Sequence, residues 1–264
     1  MTFATTTLLG AIAGLTILLG LPIARLKNLS RSWRALLNAT AIGILVFLLW
    51  DVITKATEPI QAALDAAKTG SARTFAVLLP LFIIGFGAGL LSLVYFERRF
   101  IRSAVVGGGL QGATPTQLAL MIAVGIGVHN FAEGLAIGQA SRADAIGLAT
   151  ILIVGFGLHN ATEGFGIAAP LAADGGRPSW GFLMIAGVIG GGPTFLGTML
   201  GYSVKSDAVF VLCLALAAGS IFYVIVELLN VGRRFQLREL AMWGVLLGFF
   251  AAYGTDLLLT WGGA

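Results

Sequence analysis

Two phrases, GVHNFAEGLAIG beginning at Gly127 and GLHNATEGFGIA beginning at Gly157, contain the only histidines of this 264-residue chain. On an α-helix, residues four apart stack on one face and residues three apart lie beside them. His129 therefore pairs with Glu133, and Asn130 reaches toward the same carboxylate; His159, Asn160 and Glu163 repeat the arrangement. Each phrase thus offers an imidazole nitrogen, an amide oxygen and a carboxylate. A hydrogen-bonded packing pair would explain one such phrase, but gives no reason for its return at the same spacing. Two imidazoles, two amides and two carboxylates call for a common partner, and a divalent cation is the simplest one. Mixed nitrogen and oxygen donors suit Zn²⁺ first, then Fe²⁺, Mn²⁺, Co²⁺ or Cd²⁺; the absence of sulfur from either phrase argues against Cu⁺.

The segments that must position these groups are apolar. The chain is 58% hydrophobic and 11% charged, with 37 glycines and a mean hydropathy of +0.95, values that exclude a soluble domain. Stretches long enough to cross a bilayer run from 6 to 24, 36 to 54, 74 to 96, 117 to 140, 145 to 169, 180 to 203, 208 to 230 and 240 to 261. The expectation is an all-α polytopic protein of the cell membrane with eight transmembrane helices, forming a single transmembrane domain over residues 1–264. No basic stretch precedes the first span, which is therefore expected to stay in the membrane. Lys and Arg number eleven in the connections after spans one, three, five and seven and five on the opposite side, so both termini are expected outside. The net charge of +4 is largely this asymmetry, and nucleic acid is not an expected partner. Cys213 stands alone, which excludes an intramolecular disulfide.

The polar connections are read as 55 to 73, outside, and 97 to 116, inside, the latter carrying GGGLQG, which lacks the Lys-Ser/Thr ending of a phosphate loop. Thr114 before Pro115 fits an N-cap and first residue for span four. The histidines fall near the bilayer midplane, where an unpaired carboxylate costs several kcal/mol. Straight antiparallel helices turning near residue 143 would level the histidines but leave the glutamates about 15 Å apart along the axis, so a bend, tilt or shift is expected. Gly125, Gly127, Gly134, Gly155, Gly157, Gly164 and Gly166 provide places for it.

Eight spans with HNFAEG and HNATEG on the fourth and fifth resemble the ZIP family of divalent metal transporters along essentially the whole chain. The resemblance implies a 3+2+3 helix arrangement and inward transport. It also implies metal ligands at His129, Glu133, His159 and Glu163, with Asn130 and Asn160 joining the shared glutamates at a second metal position. Two departures are visible: Ala132 and Thr162 stand where many members have proline, and Gly192 precedes Pro193 where many have glutamate. The second position then lacks a carboxylate, which implies a mononuclear or asymmetric site.

Other residues carry weaker signals. Asp51 and Asp256 lie near the expected outer ends of spans two and eight, and Glu227 near the inner end of span seven; Asp51 and Glu227 are candidates for the pathway. Arg142 and Asp144 read as a solvated turn, and Pro193 as a kink in span six. The alternative function is an intramembrane metal-dependent hydrolase, but H-E-x-x-H is absent and there is no third histidine. The chain is thus expected not to be an enzyme; metal ions are its substrate, the lipid bilayer its setting, and a homodimer its remaining candidate partnership.

Overall fold

Hydroxyl side chains start most of the helices by accepting from backbone amides that have no partner within the helix. Ser30 accepts from Trp33 N, Ser179 from Phe182 N and Ser206 from Val209 N. At Thr114 the expected cap is a reciprocal box: Gln117 N donates to Thr114 Oγ1 (3.3 Å) while Thr114 N donates to Gln117 Oε1 (2.8 Å). The computed structural model describes residues 1–68, 70–96, 98, 114–142, 146–174, 177–204 and 206–261. Most of the 97–116 connection, with GGGLQG, and Asp144 lie outside the described residues.

Among the described residues there are eight α-helices and no strand. They are α1 (Phe3–Leu15), α2 (Arg31–Ala67), α3 (Arg73–Phe96), α4 (Pro115–Arg142), α5 (Ile146–Asp174), α6 (Trp180–Ser203), α7 (Asp207–Arg233) and α8 (Arg238–Trp261). Within those residues, seven helices are long and apolar enough to cross a membrane, and α5, 29 residues long, packs among them. The chain is a multi-pass membrane protein. A helical span satisfies every backbone group internally, which a hydrocarbon environment demands.

α1 lies on α6, α2 on α8 and α7, and α3 on α7; α4 packs against α6, α7 and α5, and α5 against α1, α2 and α8. Two features differ from the sequence expectation. The first span leaves α-geometry at Thr16 and continues as 3₁₀ turns over Thr16–Leu19 and Leu21–Arg25, around Gly20 and Pro22. The second span does not end near residue 54: α2 runs on through Pro59 to Ala67, so most of the expected outer connection is helix. The residues TEPIQAALDAA are mostly good helix formers. Ala56, Ile60 and Ala63 are buried at helical spacing, the latter two against Leu78 and Val211. Lys55 therefore belongs to a helix, and Asp51 is buried within the bundle instead of standing at an interface.

α4 and α6 approach most closely. A Cβ at Gly197 would fall on the carbonyl of Phe131, and one at Gly134 on that of Thr194, so backbone meets backbone along this seam. Pro193 deprives the carbonyl of Ile189 of its usual amide four residues on, and that carbonyl faces Gly127, where no Cβ would fit. At its end, α4 is fastened by Arg142, expected in a solvated turn, whose Nη1 donates to the carbonyls of Tyr202 and Ser203, both at 2.9 Å. Arg142 thus caps the C-terminus of α6.

Candidate metal centre

The six polar residues of the repeated phrases are all buried, none more than 4% exposed. His129, Asn130 and Glu133 come from the middle of α4 and His159, Asn160 and Glu163 from the middle of α5. Helical Cβ atoms tilt toward the N-terminus, so each glutamate leans back toward the level of the histidine one turn before it. In an antiparallel pair this brings both carboxylates inward, and the separation expected for straight helices closes at the side-chain tips. His129 Nε2 lies 3.2 Å from Glu133 Oε1 and 3.9 Å from Glu163 Oε1, and His159 Nε2 lies 3.7 Å from Glu163 Oε1. The imidazole centroids are 6.2 Å apart.

One ligand atom from each of His129, Glu133 and His159 falls within 4.8 Å of the other two. Donors bound tetrahedrally to zinc stand about 3.3 Å from each other, so this set is slightly open and needs only side-chain adjustment to close on an ion. The donors are also unused. His129 Nε2, Glu133 Oε2, His159 Nε2, Glu163 Oε1, Asn130 Oδ1 and Asn160 Oδ1 are buried acceptor-capable atoms without a hydrogen-bond partner. Buried polar groups are ordinarily satisfied, so orphaned atoms on His129, Glu133, His159 and Glu163, whose side chains come together here, mark a site shaped for a positive charge.

Neighbouring helices orient this set. Asn130 Nδ2 donates to Glu163 Oε2 (2.9 Å) and to the Gly190 carbonyl of α6 (3.0 Å), which ties the two phrases to each other. Asn160 Nδ2 donates to the carbonyl of Ala13 (3.0 Å), where α1 gives way to the 3₁₀ turn. Thr255 Oγ1 of α8 is 3.4 Å from His159 Nδ1, and the ring of Phe47 lies against His159 with centroids 6.3 Å apart. These contacts hold His159 with Nε2 toward the site. Thr255 and Phe47 carry no local sequence signal, because they meet His159 from other helices.

A cavity of about 450 Å³ opens onto one side of the site; its walls include His129, Glu133, Asp51, Lys55, Glu58 and Asp256. A second, of about 560 Å³, lies toward the opposite ends of the helices and is lined by Arg31, Arg34, Arg234 and Asp174. Asp51 and Asp256 thus line the same cavity as His129 and Glu133. Glu227 is half-buried on α7 and lines neither cavity. Gly192 is half-exposed, and a Cβ there would meet only Val188 of its own helix, so α6 offers no ligand at that position.

The profile of the family described as ZIP zinc transporter matches residues 106–255, which takes in α4, α5, α6, α7 and most of α8. The chain belongs to the ZIP zinc transporter family. No curated protein matches it. The family handles metal ions in membranes, and the buried His129–Glu133–His159 group lies inside the matched region.

Proposed function

We propose that this ZIP protein carries a divalent transition metal, zinc first, into the cytoplasm through a single site formed by His129, Glu133, His159 and Glu163. Asn130 and Asn160, whose amide oxygens are buried and unpartnered, would serve as further donors. The observation that carries this reading is the convergence of unpartnered nitrogen and oxygen donors from α4 and α5 in the buried middle of the bundle. Two imidazoles and two carboxylates suit Zn²⁺ in both charge and hardness. The absence of a side chain at Gly192 favours one ion over two.

The surroundings support a sequence of steps. Of the six residues, His129 and Glu133 line the Asp51 cavity, so an ion arriving there meets them before His159 and Glu163. Toward the arginine-lined cavity Ile122 and Ile126 lie beyond the site on α4 and Ile167 on α5, each at most 1% exposed, and they would close that side. The arrangement is that of a carrier open on the side opposite its arginine-rich ends, the outer side by the distribution of positive residues. Release requires α4 or α5 to shift against these isoleucines. Purified protein in liposomes holding a zinc-sensitive dye tests the reading: zinc uptake well above that of protein-free liposomes is expected, and uptake at the protein-free level would refute it.

A further inference from the structure

A positive charge already stands in the approach to the site. Lys55 Nζ donates to Asp51 Oδ2 at 2.7 Å, one helical turn apart on α2, where the Asp51 side chain is 9% exposed and that of Lys55 33%. Both line the cavity that reaches His129 and Glu133. The Lys55 ammonium lies 5.7 Å from the centre of the Phe156 ring and is also attracted by Glu133 and Asp256. Among the described walls of this cavity, Asp51, Glu58, Glu133 and Asp256 contribute four carboxylates and Lys55 the one ammonium. Four carboxylates crowded into one membrane cavity repel each other unless a cation is present.

We propose that Lys55 is a tethered substitute cation, which an arriving dication must displace from Asp51, so that this side chain sets the apparent affinity of the outer approach. The inference rests on the transport reading above. Lysine suits the role because its ammonium is compact, strongly hydrated and carried on a flexible stem. It also has somewhere to go: Glu58, exposed and one turn further along the same face of α2, can receive it when Asp51 takes the metal. The tether keeps the competing charge at a high and constant local concentration, which a soluble monovalent ion would not match. Zinc bound at His129 and Glu133 would in turn repel the ammonium outward, helping to commit the ion to the site.

The test reads zinc affinity on the detergent-purified full chain and zinc flux in liposomes, for wild type, Lys55→Met and Lys55→Arg. Lys55→Met removes the competing charge and keeps the apolar stem; zinc should bind about 3- to 10-fold more tightly, with a matching fall in the KM of flux. Lys55→Arg retains the charge and should stay at or above the wild-type Kd. A purely structural ion pair would alter thermal stability and membrane abundance without this charge-dependent change in Kd. If Lys55→Met does not fold, Lys55→Gln, which keeps a donor for Asp51, should show the same tightening; an unchanged or weaker Kd in the neutral variants, or failure of both to fold, would overturn the proposal. Tighter zinc binding in Lys55→Met with no flux in any variant would instead count against transport alone, leaving the competition at Asp51 intact.

Discussion

Glu133 and Glu163 stand at the same step of two helices, yet their surroundings differ. Glu163 receives a hydrogen bond from Asn130, whereas Glu133 faces the Asp51 cavity with Oε2 unpartnered. Metal binding at either needs a carboxylate, and the imidazoles must be neutral to coordinate, so protons compete with the ion for the same atoms. The reference histidine pKa is about 6.5. Lowering the pH from about 7.5 to about 5.5 supplies the competing proton, and zinc affinity is expected to fall across that window. Glu133→Gln keeps the shape but loses the charge, so its affinity should be lower by about tenfold or more. Equal affinity of the wild type at both ends of the window, measured by calorimetry, would remove proton competition. The six donors were legible in sequence because a repeated H-N-x-x-E on a helix puts them on one face. Thr255 and Phe47 were not, since each meets His159 from another helix; Lys55 was not because it looks like the start of a polar connection, although it follows Asp51 at i,i+4 spacing on α2.

The seam between α4 and α6 is where an element-scale test is sharpest. A side chain at Gly197 would collide with the Phe131 carbonyl, and backbone cannot yield as a flexible side chain can. Gly197→Val is expected to destabilise the purified protein by about 1–3 kcal/mol or more, seen as a lower melting temperature. Gly192→Ala, five residues earlier on the same helix, meets only Val188 at 3.6 Å and should stay within about 0.5 kcal/mol of wild type. Equal melting temperatures for the two variants would mean that α4 and α6 do not touch in this way. The spans themselves were readable from apolar length, and the start of α4 from Thr114 and Pro115. The end of α2 was not: Lys55, Glu58 and Asp65 look like a polar connection until the buried stripe of Ala56, Ile60 and Ala63 is noticed at helical spacing. The passage of the first span into 3₁₀ turns depends on α5, where Asn160 takes the carbonyl of Ala13 and a Cβ at Gly164 would strike that of Ile17.

At the scale of the whole molecule, the orientation in the membrane, the site and the proposed direction of transport are linked. Arginines gather around the cavity lined by Arg31, Arg34 and Arg234, and carboxylates around the one lined by Asp51 and Asp256. The positive-inside preference puts the first in the cytoplasm. With Cys213 replaced by alanine, a cysteine at Ser71 should react with an impermeant maleimide added to intact cells, and one at Ser103 only after the membrane is opened; the reverse pattern would invert the topology and with it the direction of transport. The pairing of α1 with α6, α2 with α7 and α8, and α3 with α7 was not legible, because periodicity identifies a helix but not its neighbours. What joins these parts is the proposed passage of metal through the α4–α5 site. The most direct measurement of it is zinc uptake into liposomes by His129→Ala and His159→Ala, each normalised to folded, correctly inserted protein. Each substitution removes a donor, so uptake per folded protein is expected to drop at least about tenfold; wild-type uptake in either variant would contradict the site.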